Sequence, residues 1–565
     1  MKINGYEIAL SEAQLDDIIN NRMRRVKLVS KDFAGYKNLT EGNKKALEHL
    51  VAAAKIFDDV AMEQDHEMNL PMKKALEEAA QNSTYAAKAL KLFISFHGVE
   101  GHNGIDLEPV EIFKGIKGAK GRNFYPADLG VEEFHEILTR MVNEGKIDEV
   151  KKILSVRTMV RRDGKNLKAI DYTEYFKDAF SKAANEIEVA AHYTTDEDFK
   201  DYLGWQAQAL LQNNEDMDML ADKHWAVLQN NNQLEFTLGR ESYDDELTPT
   251  VYDNPALLEL LNQHQIEVNP KDMLGVRVGI INKEGTDLIL KFKQHMPELA
   301  KLMPYAGQYH QSVSDAGELK QTMVDVDVVA LTGDYAQCRG AITTAQNLPN
   351  NDKLAIKTGG GRRNAYHRQV RMSGDPERNR KLLERLHKYF DLEADHLFVI
   401  GHENGHSLGP DNEYQRALGL YKSTVEEEKA DVVSIAFMPE YVKAGVIDGE
   451  TLKKIYTTWV AYRLFLKAQP LEAHRVGELI HFNFLHDNGA FWFDDEHKLH
   501  INFDKFHDVV YAMLKETIEV QLSKSSEKAK AFIDKYTKWG KESQYIAKVQ
   551  NELGVKNYIW IEDNF

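Results

Sequence analysis

The chain has 565 residues, of which 43% are hydrophobic and 28% charged, with a formal net charge of −18. Such a composition excludes a disordered chain, and the acidic balance argues against a nucleic-acid partner, whose backbone demands a positive face. No run approaches the roughly 18–20 uninterrupted apolar residues of a membrane helix.

The length exceeds one ordinary core and predicts two large lobes. The first residues, MKINGYEIALSEAQLDDIINNRMRR, are charged and amphipathic, with no apolar core before a small-residue cleavage site. Helical periodicity then dominates the first 230 residues or so. In TEGNKKALEHLVAAAKIFDDVAMEQ, Thr40 stands at an N-cap position and apolar residues recur at intervals of three and four. Segments 131–155, 172–192 and 198–229 read the same way, and the glycine- and aromatic-rich residues 98–130 form a loop between helices. A modest β element is expected between about 234 and 356, from the alternating VRVGIINKEGTDLIL and the short buried pattern VDVDVVALTG. Lys357, Arg362, Arg363, Arg368 and Arg371 form a basic cluster, expected as a solvated loop or else a local anion or carboxylate site. From 376 the helical pattern resumes nearly to the end, apart from the turn-rich NGAFWFDDEHK. The expected fold class is α+β and two-lobed: a mostly helical lobe faces a mixed lobe with a small β-sheet or barrel, and the substrate site lies in the cleft between them. The single cysteine, Cys338, excludes an intrachain disulfide and a thiolate metal cluster, and points to a reducing cytoplasm.

The strongest chemical signal is LFVIGHENGHSLGPD. His402 and His406 are four apart, so on a helix they project from one face and bind one metal through neutral imidazoles. Glu403, one residue on, reaches a metal-bound water without taking a ligand position, the arrangement of an HExxH general base. Gly401 and Gly405 each weaken such a helix by about 1 kcal/mol relative to alanine. A catalytic zinc needs a third protein ligand and an open fourth position. STVEEEKADVVSIAF, downstream, heads a helix with Glu426, Glu427, Glu428 and Asp431. Three adjacent glutamates ordinarily make a solvated face. Glu427 and Asp431, however, are again four apart. One carboxylate can ligate the metal while the other accepts a ligand imidazole's free N–H.

EEEKAD following HExxH resembles the dipeptidyl peptidase III family of metallopeptidases, in which the second glutamate of EExxA(D/E) is a zinc ligand, here Glu427. ESYDDE is similar to the family's Glu-Ser-Tyr segment, which implies Tyr243 as a transition-state donor and Glu241 as the receptor of the substrate's N-terminal amine. AQNLPNND resembles its Asn-x-Pro-Asn strand and implies that Asn347 and Asn350 hold the substrate backbone. LEAHRVGEL implies His474 as the histidine assisting at the scissile carbonyl. LTEGNKKALEHLVAAAKIFDD and NFYPADLGVEEF are also similar, and the segments occur in the family's order. Two features depart from it. HENGH has one residue fewer between its histidines than the family's usual hexapeptide, which suits an undistorted helix. Glu478 stands where better-known members carry an arginine, and no arginine follows Arg475.

The expected division is a mixed lobe over 1–265, completed by about 325–360, and a zinc-binding lobe over 266–324 and 361–565. The expected function is a zinc-dependent exopeptidase with one zinc per chain, acting on short peptides and releasing dipeptides from the N-terminus, with Asp431 behind a ligand histidine. A broader metalloaminopeptidase or oligopeptidase with the same chemistry, and a non-catalytic peptide-binding protein, stand as alternatives. The sequence leaves the oligomeric state open.

Overall fold

The structure is a computed structural model that describes residues 1–102, 109–212, 215–226, 228, 232–242, 245–311, 322–336, 342, 344–348, 363–373, 383–411, 414–415, 417–464, 468, 473–552, 556 and 558–565. Strand β1 (Met23–Lys27) is followed by the long helix α1 (Glu41–Asp65). Thr40 caps α1 by accepting a hydrogen bond from Asn43 N (3.1 Å), a contact worth about 1 kcal/mol. Ala46, Leu50, Ala53, Ala54, Phe57 and Ala61 are buried along one stripe of α1.

A hairpin follows, β2 (Thr158–Asp163) and β3 (Asn166–Asp171), turning at Gly164 with φ +58°. Helical periodicity does not anticipate it: its polar alternation is short, and the Asp163–Gly164 turn signal is the only strong mark. Helices α2 (Lys177–Tyr193) and α3 (Glu197–Gln212) then pack with α1 around the central sheet.

That sheet comprises β4 (Leu234–Ser242), β5 (Asp272–Asn282), β6 (Thr322–Gly333), β7 (Ala345–Leu348) and β8 (Arg363–His367), in the order β7-β8-β6-β5-β4. Only β6 and β8 run parallel; the other neighbours are antiparallel, giving a curled mixed sheet. The β reading of VRVGIINKEGTDLIL holds only for its first half. Asn282 ends β5, and its side chain accepts from Gly285 N (2.9 Å), starting α4 (Lys283–Leu302). An Asx N-cap thus overrides the apparent alternation beyond it.

The helical half contains α5 (Leu392–Gly405), α6 (Lys422–Lys443), α7 (Gly449–Arg463), α8 (Ala473–Asp487) and α9 (Phe503–Leu522). Residues 428–438 of α6 are buried without a break, so this helix is the axis of the bundle. The turn-rich 488–498 stretch lies in a small hairpin, β9 (Phe491–Phe493) with β10 (Leu499–Ile501). The chain ends not on a helix but on β11 (Tyr558–Glu562), which pairs in parallel with β1.

Three apolar clusters result: one around the sheet, one inside the α4–α9 bundle, and a smaller one joining N-terminal elements to Tyr558. The architecture is α+β and two-lobed, as expected from the sequence. Among the described residues no helix is long and apolar enough to cross a membrane.

The basic cluster is not a solvated loop where it is described. Arg363 is fully buried and donates to Glu235 Oε2 (3.1 Å), Arg368 bridges Asp325 and Glu393, and Arg371 pairs with Asp395. Those last two arginines tie the sheet side to the first turn of α5. Lys357 and Arg362 lie outside the described residues.

Candidate metal centre

Asp391 caps α5 by accepting from Glu393 N (3.0 Å), and the helix runs apolar and buried from Leu397 to Ile400 before presenting His402. The helix ends at Gly405, and His406 is its C-cap, still in right-handed helical geometry (φ −62°, ψ −28°). Both histidines therefore keep the four-residue register and share a face.

The two glycines prove to be spacers between helices. A Cβ on Gly405 would lie 2.8 Å from the Ala430 carbonyl oxygen, and one on Gly401 would strike Ser434 Oγ. Ala430 and Ser434 are themselves four apart on α6, and Ser434 Oγ donates to Phe398 O (2.7 Å). Small residues at matched spacing let α5 and α6 approach closely enough for their side chains to converge.

His402 Nε2 lies 3.2 Å from His406 Nε2 and 3.4 Å from Glu427 Oε2, and His406 Nε2 lies 3.7 Å from the same oxygen. Ligand atoms about 2.0–2.1 Å from a tetrahedral zinc stand roughly 3.3 Å apart, so the triangle has the right size. Its protonation points the same way. His402 Nδ1–H donates to Asp431 Oδ1 (2.7 Å) and His406 Nδ1–H to Glu426 Oε1 (3.0 Å). With both Nδ1 protons held by carboxylates, the neutral rings turn two Nε2 lone pairs toward each other. Glu427 Oε2, beside them, is buried and satisfied by no hydrogen bond. A cation reconciles the three acceptors. The donor set fits zinc, and among the described residues only this trio forms such a group. His474 stays outside it, which leaves a coordination position open.

Electrostatics agree with a site built for positive charge. Burial disfavours charge on His402, yet the hydrogen bond of Asp431 and the charges of Asp431 and Glu427 outweigh it and hold its pKa well above the ordinary value. Burial likewise pushes Glu427 upward, but His402, His406 and His474 bring it down to about 2. Asp431 falls well below the usual carboxylate range, because Arg463 and His402 outweigh its burial.

No family model matches the sequence. A dipeptidyl peptidase III from Caldithrix abyssi superposes with a TM-score of 0.78 at 23% identity, over 95% of this chain and 97% of that one. A second, from Corallococcus sp. strain EGB, gives 0.72 at 20% identity, over 98% and 97%. The chain has the dipeptidyl peptidase III fold. Among curated proteins, Nudix hydrolase 3 of Arabidopsis thaliana is 22% identical over 559 residues, matching 88% of this chain and 68% of that protein.

On this dipeptidyl peptidase III fold the residues singled out in the sequence fall as follows. His402, His406 and Glu427 converge, with Asp431 directly behind His402. Glu403 is half-buried, and its charge, after burial, helps raise the pKa of the fully buried Tyr366 phenol on β8, so it faces the sheet side. His474 is exposed in the first turn of α8, its Nδ1 3.6 Å from Glu427 Oε2 and its ring 6.1 Å from that of His402. Glu241 is on β4, paired with Met273, and Asn347 is on β7, paired with Asn364; both side chains lie outside the described set. Tyr243 and Asn350 lie outside the described residues altogether.

Sequence reasoning missed the rest of the site. Glu426 and Glu428 read as a solvated face. Glu426 instead accepts from His406, Lys429 and Gln521, while the fully buried Glu428 lies against His481 Nε2 as a close ion pair. Arg463 donates to Asp431 Oδ2 (2.8 Å) and to His481 Nδ1 (3.1 Å), with its guanidinium between the Phe398 and Trp459 rings. The Glu426–Lys429 pair at i, i+3 carried a signal; the Arg463 partnership, from another helix, carried none.

Proposed function

We propose that the chain is a zinc-dependent peptidase that acts on short peptides and releases dipeptides from their N-terminus. The observation that carries this reading is the trio His402, His406 and Glu427, with one position open and Glu403 one residue from a ligand. The fold shared with dipeptidyl peptidase III structures supports it. About a third of the Arabidopsis protein lies outside its match, and that protein's named activity is not transferred here.

Zinc held by the trio would supply Lewis acidity to the scissile carbonyl and to the attacking water. Glu403 takes the water's proton and delivers it to the departing amine. Tyr243 and His474 donate to the oxygen that gains negative charge. Glu241 receives the free N-terminal ammonium, and Asn347 with Asn350 holds the substrate main chain, so cleavage falls a fixed distance from the end. Asp431 keeps the His402 ring in the tautomer that faces the metal. The mixed lobe, 1–265 with about 325–360, holds the peptide, and 266–324 with 361–565 holds the metal. A cytoplasmic location belongs to the same reading.

Glu478, where an arginine was expected, pairs with Arg475 (2.7 Å). A contact there to the peptide's C-terminal carboxylate is therefore left out of this reading.

The test is mass spectrometry of products from a defined pentapeptide and its N-acetylated form, on the parent and on Glu403→Gln. A dipeptide is expected as first product. Acetylation should cost one to two powers of ten in kcat/KM, since a charge-assisted anchor contributes about 1.5–3 kcal/mol. Glu403→Gln should keep its zinc while turnover falls about 10²–10⁴-fold. A single released residue moves the assignment to an aminopeptidase. Equal rates on both peptides move it to an oligopeptidase, and no turnover with retained binding to a peptide-binding protein.

A further inference from the structure

His406 has an awkward position for a metal ligand. The helix that presents it stops one residue earlier and runs on as two tight turns, Ser407 N to Asn404 O (3.0 Å) and Leu408 N to Gly405 O (3.1 Å), and the last carbonyls of a helix need outside partners. The structure supplies one from the neighbouring helix. Lys429 on α6 is completely buried, and an ammonium is almost never buried without full compensation. Its Nζ donates to Gly405 O (2.8 Å) and Leu408 O (2.7 Å), lies 3.5 Å from His406 O, and donates to Glu426 Oε1 (2.8 Å). Glu426 Oε1 is the atom that accepts the His406 Nδ1 proton, and its other oxygen accepts from Gln521 Nε2 (3.2 Å).

Building on the zinc reading above, we infer that Lys429 is a positioning residue for His406, acting through Glu426 and through the turn that carries the ring. Two functions meet in one ammonium. It clamps the two end carbonyls of the 405–408 turn, which Leu408 N–H already closes onto Gly405 O (3.1 Å), and so braces the place where the His406 backbone sits. It also pins and neutralises Glu426, which fixes the ring's tautomer and rotation so that Nε2 faces the metal. A tetrahedral ammonium donates in three diverging directions, which suits two carbonyls and a carboxylate better than a planar fork does. His402 has a parallel arrangement of imidazole, Asp431 and Arg463, but it sits a full turn inside α5 and its backbone needs no such support. His406 is thus the ligand whose backbone turn, as well as its ring, leans on a side chain from another helix.

The experiment measures zinc dissociation constants of the full chain by chelator competition, beside the thermal midpoint of the metal-free protein. Lys429→Met keeps the stem and removes the charge; zinc affinity should fall about 10–100-fold. Lys429→Arg, which keeps the charge, should recover most of it. Glu426→Gln leaves the turn closed and should weaken zinc roughly tenfold through the ring alone. In the double variant the two losses should not add, since both act on one imidazole. A purely structural lysine would lower the midpoint of the metal-free protein while folded Lys429→Met bound zinc like the parent, and that result overturns the inference. If Lys429→Met does not fold, parental affinity in Glu426→Gln overturns it instead. A parent that takes up no zinc removes the metal reading itself. A parent that binds while both variants bind equally well removes only the role of Lys429.

Discussion

Among the described residues, one buried polar cluster in the sheet and another between α5 and α6 are built on opposite principles. In the sheet, Glu235 is fully buried and receives hydrogen bonds from Arg277 (3.1 Å), Arg363 (3.1 Å), Trp225 (2.7 Å) and Thr237 (2.9 Å). Arg277 also donates to His367 Nε2 (2.8 Å). Both oxygens of that carboxylate are met by donors, two of them guanidinium groups, as a structural ion cluster requires. Between the helices Asp431, Glu426 and Lys429 tie the two histidines from outside, while at the centre two imidazole Nε2 atoms converge on Glu427 Oε2, a buried oxygen that accepts no hydrogen bond. A satisfied network locks a fold. A network whose acceptors converge on one point is shaped around something else.

The largest expected contrast follows from removing one carboxylate from each cluster. Glu427→Ala should abolish zinc binding in elemental analysis and equilibrium dialysis. It should nevertheless unfold close to the chelated parent, because the lost oxygen accepts no hydrogen bond and only its charge attraction to the neighbouring histidines is removed. Glu235→Gln should do the reverse, leaving zinc stoichiometry at one per chain and costing about 3–5 kcal/mol of stability, since two buried guanidinium groups lose their counter-charge. Denaturant midpoints with and without chelator measure both. A Glu427→Ala protein much less stable than the chelated parent would break the comparison. Burial raises the pKa of Glu235, and Arg363 and Arg277 more than reverse that. Its folded pKa is therefore depressed. The stabilisation it brings is present above the unfolded carboxylate range and is lost as pH falls through the folded value, so Glu235→Gln should flatten the acid limb of the stability profile.

A smaller change should sharpen the helical side of the contrast. Gly405→Ala drives a methyl group against the Ala430 backbone, which no rotamer change relieves. The helices must part by a fraction of an ångström, at about 1–3 kcal/mol. Zinc affinity should fall about tenfold although no ligand has been touched. An unchanged dissociation constant would mean that the close approach of α5 and α6 does not set the ligand triangle.

The smallest effect concerns an ordinary satisfied pair. His97 Nε2 donates to Asp58 Oδ1 (2.6 Å), which also accepts from Gly333 N (3.0 Å). Burial disfavours a charged His97, and Asp58 reverses this, so its folded pKa is raised. That contribution is complete below the unfolded pKa of about 6.5 and disappears as pH rises through the folded value. Asp58 is the depressed partner, also against its burial, and its share is lost only as pH falls through its lowered value. His97→Gln should thus cost about 1 kcal/mol at pH 6 and less at pH 9, read as a narrowing difference in thermal midpoint. Zinc content should stay at the parental level throughout.

The sequence by itself determined the parts whose physics is local in the chain. Thr40 capping α1, the four-residue spacing of His402 and His406, and the matching spacing of Glu427 and Asp431 are helical geometry, legible wherever the period is 3.6. The five-segment resemblance to dipeptidyl peptidase III carried the fold class as well. Local reading failed where a neighbour in space overrode the pattern. VRVGIINKEGTDLIL became half strand and half helix, because Asn282 found a cap. Arg363 became a core residue, because the sheet placed Glu235 beside it. The run Glu426–Glu428 looked solvated because charge patterning knows nothing of what packs above it. Only the tertiary structure decided that His406 and Gln521 reach the first of these glutamates, that His481 faces the third, and that Gly401 and Gly405 are gaps for α6. Each of those contacts joins atoms from different helices, and a one-dimensional period carries no information about which helix will arrive.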